Sequence, residues 1–65
     1  MNPEESERLT KLYCDMVSSD DPRKQEDGLE SAEEAHYMDG AISYEQHLIV
    51  ARLYAKTTGD YDILR

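Results

Sequence analysis

The sequence predicts an all-α fold: a small three-helix domain, with helices over about 3–18, 30–38 and 43–57 and a C-terminal tail docked on it. Two observations predict it. Apolar residues recur at helical spacing in the first and third segments, and helix-start signatures alternate with Asp-Gly and Gly stops. At 65 residues the chain is a single domain, 1–65.

Asn2-Pro3-Glu4-Glu5 opens the first helix. Asn caps, Pro occupies a first-turn position that needs no N–H, and Glu5 stands where a capping box places its acid. Leu9, Leu12, Tyr13, Met16 and Val17 then form one apolar stripe, with Glu7, Arg8, Lys11 and Asp15 away from it.

Ser18-Ser19-Asp20-Asp21-Pro22 is turn-prone, and no aliphatic or aromatic residue stands between Val17 and Leu29. The stretch 19–28 is therefore expected to be a polar, mobile linker, at most a turn of helix capped by Asp21 and closed by Gly28. A capping box at Ser31-Ala32-Glu33-Glu34 is expected to start the second helix, which ends before Asp39-Gly40.

Ser43, answered by Gln46, begins the third helix, which runs to Gly59. Its apolar residues form two lines, Tyr44, Leu48, Ala51 and Ala55 on one, Ile49, Val50, Leu53 and Tyr54 on the other. That girdle is wider than a surface helix needs, so neighbours must cover both sides. In the tail, Tyr61 and Leu64 are expected to pack against it.

Burial in a chain this small nets only about 3–5 kcal/mol without staples. No staple is present: Cys14 has no cysteine to pair with and no His/Cys cluster beside it. The lone cysteine fits an intracellular, cytoplasmic protein, or a host-cell cytoplasm if the gene is carried by a phage. The acidic start Met1-Asn2-Pro3-Glu4-Glu5 is unlike a signal peptide, and no apolar run approaches a membrane span.

Charge narrows the partners. Fifteen Asp/Glu against seven Lys/Arg leave a net charge of -8, which opposes direct contact with nucleic acid or with an anionic membrane surface. Both halves are negative, nine acids against four bases over 1–30 and six against three over 31–65.

Reactive constellations are absent. Asp39-Gly40-Ala41-Ile42-Ser43 with Gln46 has the turn and apolar position of the second half of a calcium loop. Ala35 and Tyr37 would stand at the first and third ligand positions without a carboxylate, so the segment reads as a helix–turn–helix corner. His36 and His47 flank that corner at a spacing that matches no compact metal motif. Cys14 reads as a small residue at the edge of the first stripe. No catalytic residue, metal site or cofactor is expected.

The residues thus point to a non-enzymatic, acidic module that binds another protein through a basic surface, as an inhibitor or adaptor of a nucleic-acid-handling or defence enzyme, or as a nucleic-acid mimic of the kind phages encode. Its expected contact surface is Glu4, Glu5, Glu7, Asp20, Asp21, Glu26, Asp27, Glu33 and Glu34, with Tyr37 as an aromatic anchor. The second reading is a structural or assembly subunit that forms a homodimer or partner bundle through Ile49, Val50, Leu53 and Tyr54.

Overall fold

The computed structural model describes residues 2–65. Helix α1 spans Pro3–Val17, α2 Pro22–Tyr37 and α3 Tyr44–Thr58, followed by a single 3-10 turn at Tyr61–Leu64; the described residues contain no strand. Asn2 starts α1 as expected: its side-chain oxygen accepts from the Glu4 and Glu5 amides at 3.0 and 3.4 Å. The first turn also carries Glu4 and Glu5, favourable against the positive end of the helix dipole.

The second helix corrects the sequence reading. It begins at Pro22, eight residues before the expected start at 30, so most of the expected linker 19–28 is regular helix and the expected cap Ser31 lies in its interior. Asp21 is the true cap, accepting from the Arg23 amide at 2.9 Å. Gln25 steadies the turn by donating to the Ser19 carbonyl at 2.6 Å.

Gly28 does not close a turn. It is a buried contact point, where a Cβ would lie 2.8 Å from both Met16 Cβ and Val17 Cγ1 and 3.1 Å from the Tyr13 carbonyl oxygen. Helix α2 is anchored on α1 by a missing side chain rather than by an apolar one, a contact that hydrophobic periodicity does not register. Ala32 and Ala35, both buried, continue that narrow face, while larger side chains come from the neighbours.

The core is Val17, Ala32, Ala35, Ile42, Val50 and Tyr54, with Leu9, Tyr13, Cys14, Leu29, Leu53 and Ile63 packed around it. Helix α3 packs against both α1 and α2, which supplies the two-sided cover its girdle demands. Buried Ser6 ties α1 to α3: its hydroxyl donates to the Pro3 carbonyl at 3.1 Å and accepts from Gln46 Nε2 at 3.4 Å.

Gly59, at φ 82°, caps α3 in the left-handed region that glycine enters without cost. The tail docks on α3, but through Ile63 rather than through Tyr61 and Leu64, which remain exposed. Three residues per turn explain the choice. Tyr61 and Leu64 share one edge of the 3-10 turn and leave Ile63 to face the core. No helix among the described residues is long and apolar enough to cross a membrane.

Candidate protein-binding face

The corner between α2 and α3 is built by local chemistry. Gly40, at φ 64°, turns the chain, and the Ala41 amide donates back to the Ala35 carbonyl at 2.7 Å. Ile42 is buried and pins the corner to the core. Ser43 and Gln46 form a reciprocal capping box: the Gln46 amide donates to Ser43 Oγ at 3.1 Å, and the Ser43 amide donates to Gln46 Oε1 at 2.8 Å.

This corner assembles four rings. His36 and His47 stack with centroids 5.6 Å apart and planes 22° from parallel. Tyr37 meets His36 at 4.6 Å and His47 at 5.4 Å, both edge-on, and Tyr44 meets them at 5.6 and 6.1 Å. Tyr37 and Tyr44 are 64% and 53% exposed, so they form the outer faces of a platform whose floor is the imidazole pair. Met38, beside Tyr37 in sequence, is more exposed still.

The floor is polarised. His36 Nδ1–H donates to the Ile42 carbonyl at 3.1 Å, since a carbonyl can only accept, and this assigns the tautomer. His47 is only 8% exposed, and both its ring nitrogens are buried without a hydrogen-bond partner. Burial holds the His47 imidazole below the usual histidine range; Glu33 opposes the shift and His36 reinforces it.

Topology concentrates charge at this end of the bundle. The αα-hairpins place the first turns of α1, the last turn of α2, the corner and the first turn of α3 together, as the Ser6–Gln46 bond confirms. Residues 2–8 and 33–47 hold seven carboxylates, Glu4, Glu5, Glu7, Glu33, Glu34, Asp39 and Glu45, against one base, Arg8. Arg8 is held by Glu5 at 3.3 Å. The rest of the chain holds eight acids against six bases, so most of the net charge resides at the aromatic end.

The expected contact residues are all exposed but do not form one patch. Glu4, Glu5, Glu7, Glu33, Glu34 and Tyr37 share the aromatic end. Asp20 and Asp21 lie at the opposite end, roughly 20 Å from Glu33 and Glu34 along α2 at 1.5 Å per residue, beside Arg23 and Lys24, while Glu26 and Asp27 stand between the ends, roughly 10 Å from the same pair. Asp21 is engaged as a cap there. Glu26 and Asp60 flank the buried Tyr54, whose phenol is pushed up by burial first and by these two carboxylates next. Between the ends, Asp27, Glu30, Ser31 and Glu34 of α2 line a shallow groove of about 380 Å³ against Met16 of α1.

Ile49, Val50, Leu53 and Tyr54 do not form an outer face. Val50 and Tyr54 belong to the protein's own core and Leu53 packs on it, leaving only Ile49 substantially exposed. The α1 and α2 neighbours consume the surface that the helical pattern alone leaves unassigned. Cys14 is half-buried against the core, and burial, with Asp15 second, pushes its thiol up. That is the reverse of what an activated nucleophile requires. Among the described residues no three His, Cys, Asp or Glu side chains converge as metal ligands.

No protein-family model, curated protein or solved structure matches the chain. Sequence reasoning singled out Tyr37 as an anchor, paired His36 with His47 only as metal-ligand candidates, and placed Tyr44 in the apolar girdle of the third helix. Their shared signal was the placement of two ring pairs on either side of the Asp39-Gly40 turn.

Proposed function

We propose that this chain is a non-enzymatic protein-binding module that inserts its aromatic, acidic end into a basic surface of another protein. One observation carries the reading: exposed Tyr37 and Tyr44 stand among seven carboxylates whose single basic neighbour is already paired. An apolar centre with a charged rim is the usual anatomy of a recognition site, and tyrosine supplies contact area with few rotors. The surrounding field steers a basic partner toward the platform.

A basic surface shaped for phosphates is the natural target of such a field. The module therefore acts as an inhibitor or adaptor of a nucleic-acid-handling or defence enzyme by competing for the groove that nucleic acid would occupy. Attraction to phosphates themselves is opposed by the same charge.

The test is affinity capture of the partner from the native host, followed by titration of the purified pair. Affinity should fall at least tenfold between 50 and 300 mM salt, roughly the regime in which the Debye length drops below 10 Å. E33K/E34K/E45K should abolish binding, whereas D20K/D21N at the far end, which keeps a capping side chain at residue 21, should leave most of it. A complex indifferent to salt, or one sensitive only to the far-end substitutions, refutes the reading.

A further inference from the structure

We propose that the platform formed by Tyr37, Tyr44, His36 and His47 is a docking site for one arginine side chain of the partner. The inference rests on the binding-module reading and specifies its central contact. Each tyrosine meets both imidazoles, at 4.6 to 6.1 Å between ring centroids, so the four rings form one aromatic cluster, two from each side of the turn, that presents Tyr37 and Tyr44 to solvent. Aromatic faces attract cations within about 6 Å of a ring centroid, and the attraction grows when the contact is partly shielded from water.

Three features select a cation over an apolar anchor. Glu33 and Glu34 stand one helical turn before Tyr37 and both are exposed, giving carboxylates at the platform's edge, and Glu33 acts electrostatically on His47. In the floor of the platform His36 Nδ1–H is committed to the Ile42 carbonyl, and burial of His47 disfavours a competing imidazolium there. The one nearby base, Arg8, is held by Glu5.

Arginine fits better than lysine. A guanidinium is planar, weakly hydrated and able to lie flat on a ring while its edge N–H groups reach a carboxylate, whereas an ammonium must shed a tighter hydration shell to approach the same surface. Glu33 and Glu34 supply acceptors for that edge, and Tyr37 or Tyr44 supplies the stacking face.

The experiment is an NMR titration of the intact chain with acetyl-Gly-Arg-Gly-amide, and with the same peptide carrying lysine or citrulline. Citrulline keeps the planar shape and removes the charge. The arginine peptide should move the Tyr37 and Tyr44 ring resonances in a saturable way, the lysine peptide several-fold less strongly, and the citrulline peptide not at all. Tyr37→Ala with Tyr44→Ala, both at exposed positions and checked for helicity by circular dichroism, should remove the response.

Equal responses to arginine and citrulline, or shifts confined to Asp20–Asp27 with silent tyrosines, overturn the proposal. Salt-sensitive binding of the captured partner separates the two failures. If that binding persists in the double tyrosine variant at unchanged affinity, the arginine site is wrong and the acidic-face reading stands. If E33K/E34K/E45K also leaves it intact, both fall.

Discussion

Gly28 and Val17 are in backbone-to-side-chain contact across the α1–α2 interface, so closely that a Cβ on residue 28 would stand 2.8 Å from Val17 Cγ1. Met16 Cβ is equally near, and neither atom is the far end of a flexible chain. This contact lets two helices share a boundary at which the fully buried residues of α2 are Gly28, Ala32 and Ala35.

Gly28→Ala should therefore destabilise the protein even though alanine is the better helix former. The propensity gain is about 1 kcal/mol; overpacking a fitted interface costs about 1–3 kcal/mol, leaving a net loss on the order of 1 kcal/mol. Thermal unfolding should show a midpoint several degrees lower, about 4–8 °C per kcal/mol at this size. An unchanged or raised midpoint would mean that the helices do not meet at residue 28.

His47 predicts an acid-side loss of stability. Its folded-state pKa lies below the ordinary 6.5, because burial, helped by His36 and resisted by Glu33, disfavours the cation. Above pH 6.5 the imidazole is neutral whether the chain is folded or not, and its contribution is complete. As pH falls from there toward the folded value, the unfolded chain takes up a proton that the folded chain refuses, and stability declines. His47→Leu removes the titration along with two unpartnered buried nitrogens, each of which costs about 1–3 kcal/mol. The variant should be at least as stable at pH 7.5, and its advantage in urea midpoint should widen by pH 5.5. A constant gap between the two proteins across that range would refute the assignment.

Salt should stabilise this protein. Among the described residues only two ion pairs form, Arg8–Glu5 and Arg65–Asp62, both exposed and worth little. Against them stands the self-repulsion of a -8 charge, most of it crowded at one end. Screening loses the small term and relieves the large one. The urea midpoint measured at 300 mM sodium chloride should exceed that at 20 mM, and a fall would show that attractive pairs dominate.

The tail should be sensitive at one position only. Ile63 packs against the core while Tyr61 is 58% exposed. Ile63→Ala should cost about 1–2 kcal/mol, below the 2–5 of a fully buried site because Ile63 is only partly covered. Tyr61→Ala should fall within about 0.5 kcal/mol of the parent. Equilibrium unfolding of the two variants side by side decides the point, and the reverse order would place the wrong face of the 3-10 turn against α3.

Much of the fold was legible in the residues because the relevant forces are local. Asn2, Asp21, Ser43 and Gly59 each act within a few residues of themselves, so the caps and the ends of α1 and α3 could be read to within one position. The start of α2 could not, since helix 22–28 is held by an absence: Gly28 offers no apolar side chain to the pattern, and its value exists only when Met16 and Val17 arrive against it.

The sequence by itself determined that the chain is helical and acidic, since propensity, capping and composition need no partner from elsewhere in the chain. Tertiary structure alone decided where the charge and the rings go. Folding moved Val50 and Tyr54 from a candidate outer face into the core, and separated Asp20 and Asp21 from Glu33 and Glu34 along the length of α2. It also brought His36, Tyr37, Tyr44 and His47 together at the end where seven carboxylates meet. The physical reason is that burial and electrostatic fields depend on distance in space, and spacing along a chain sets that distance only within one helix.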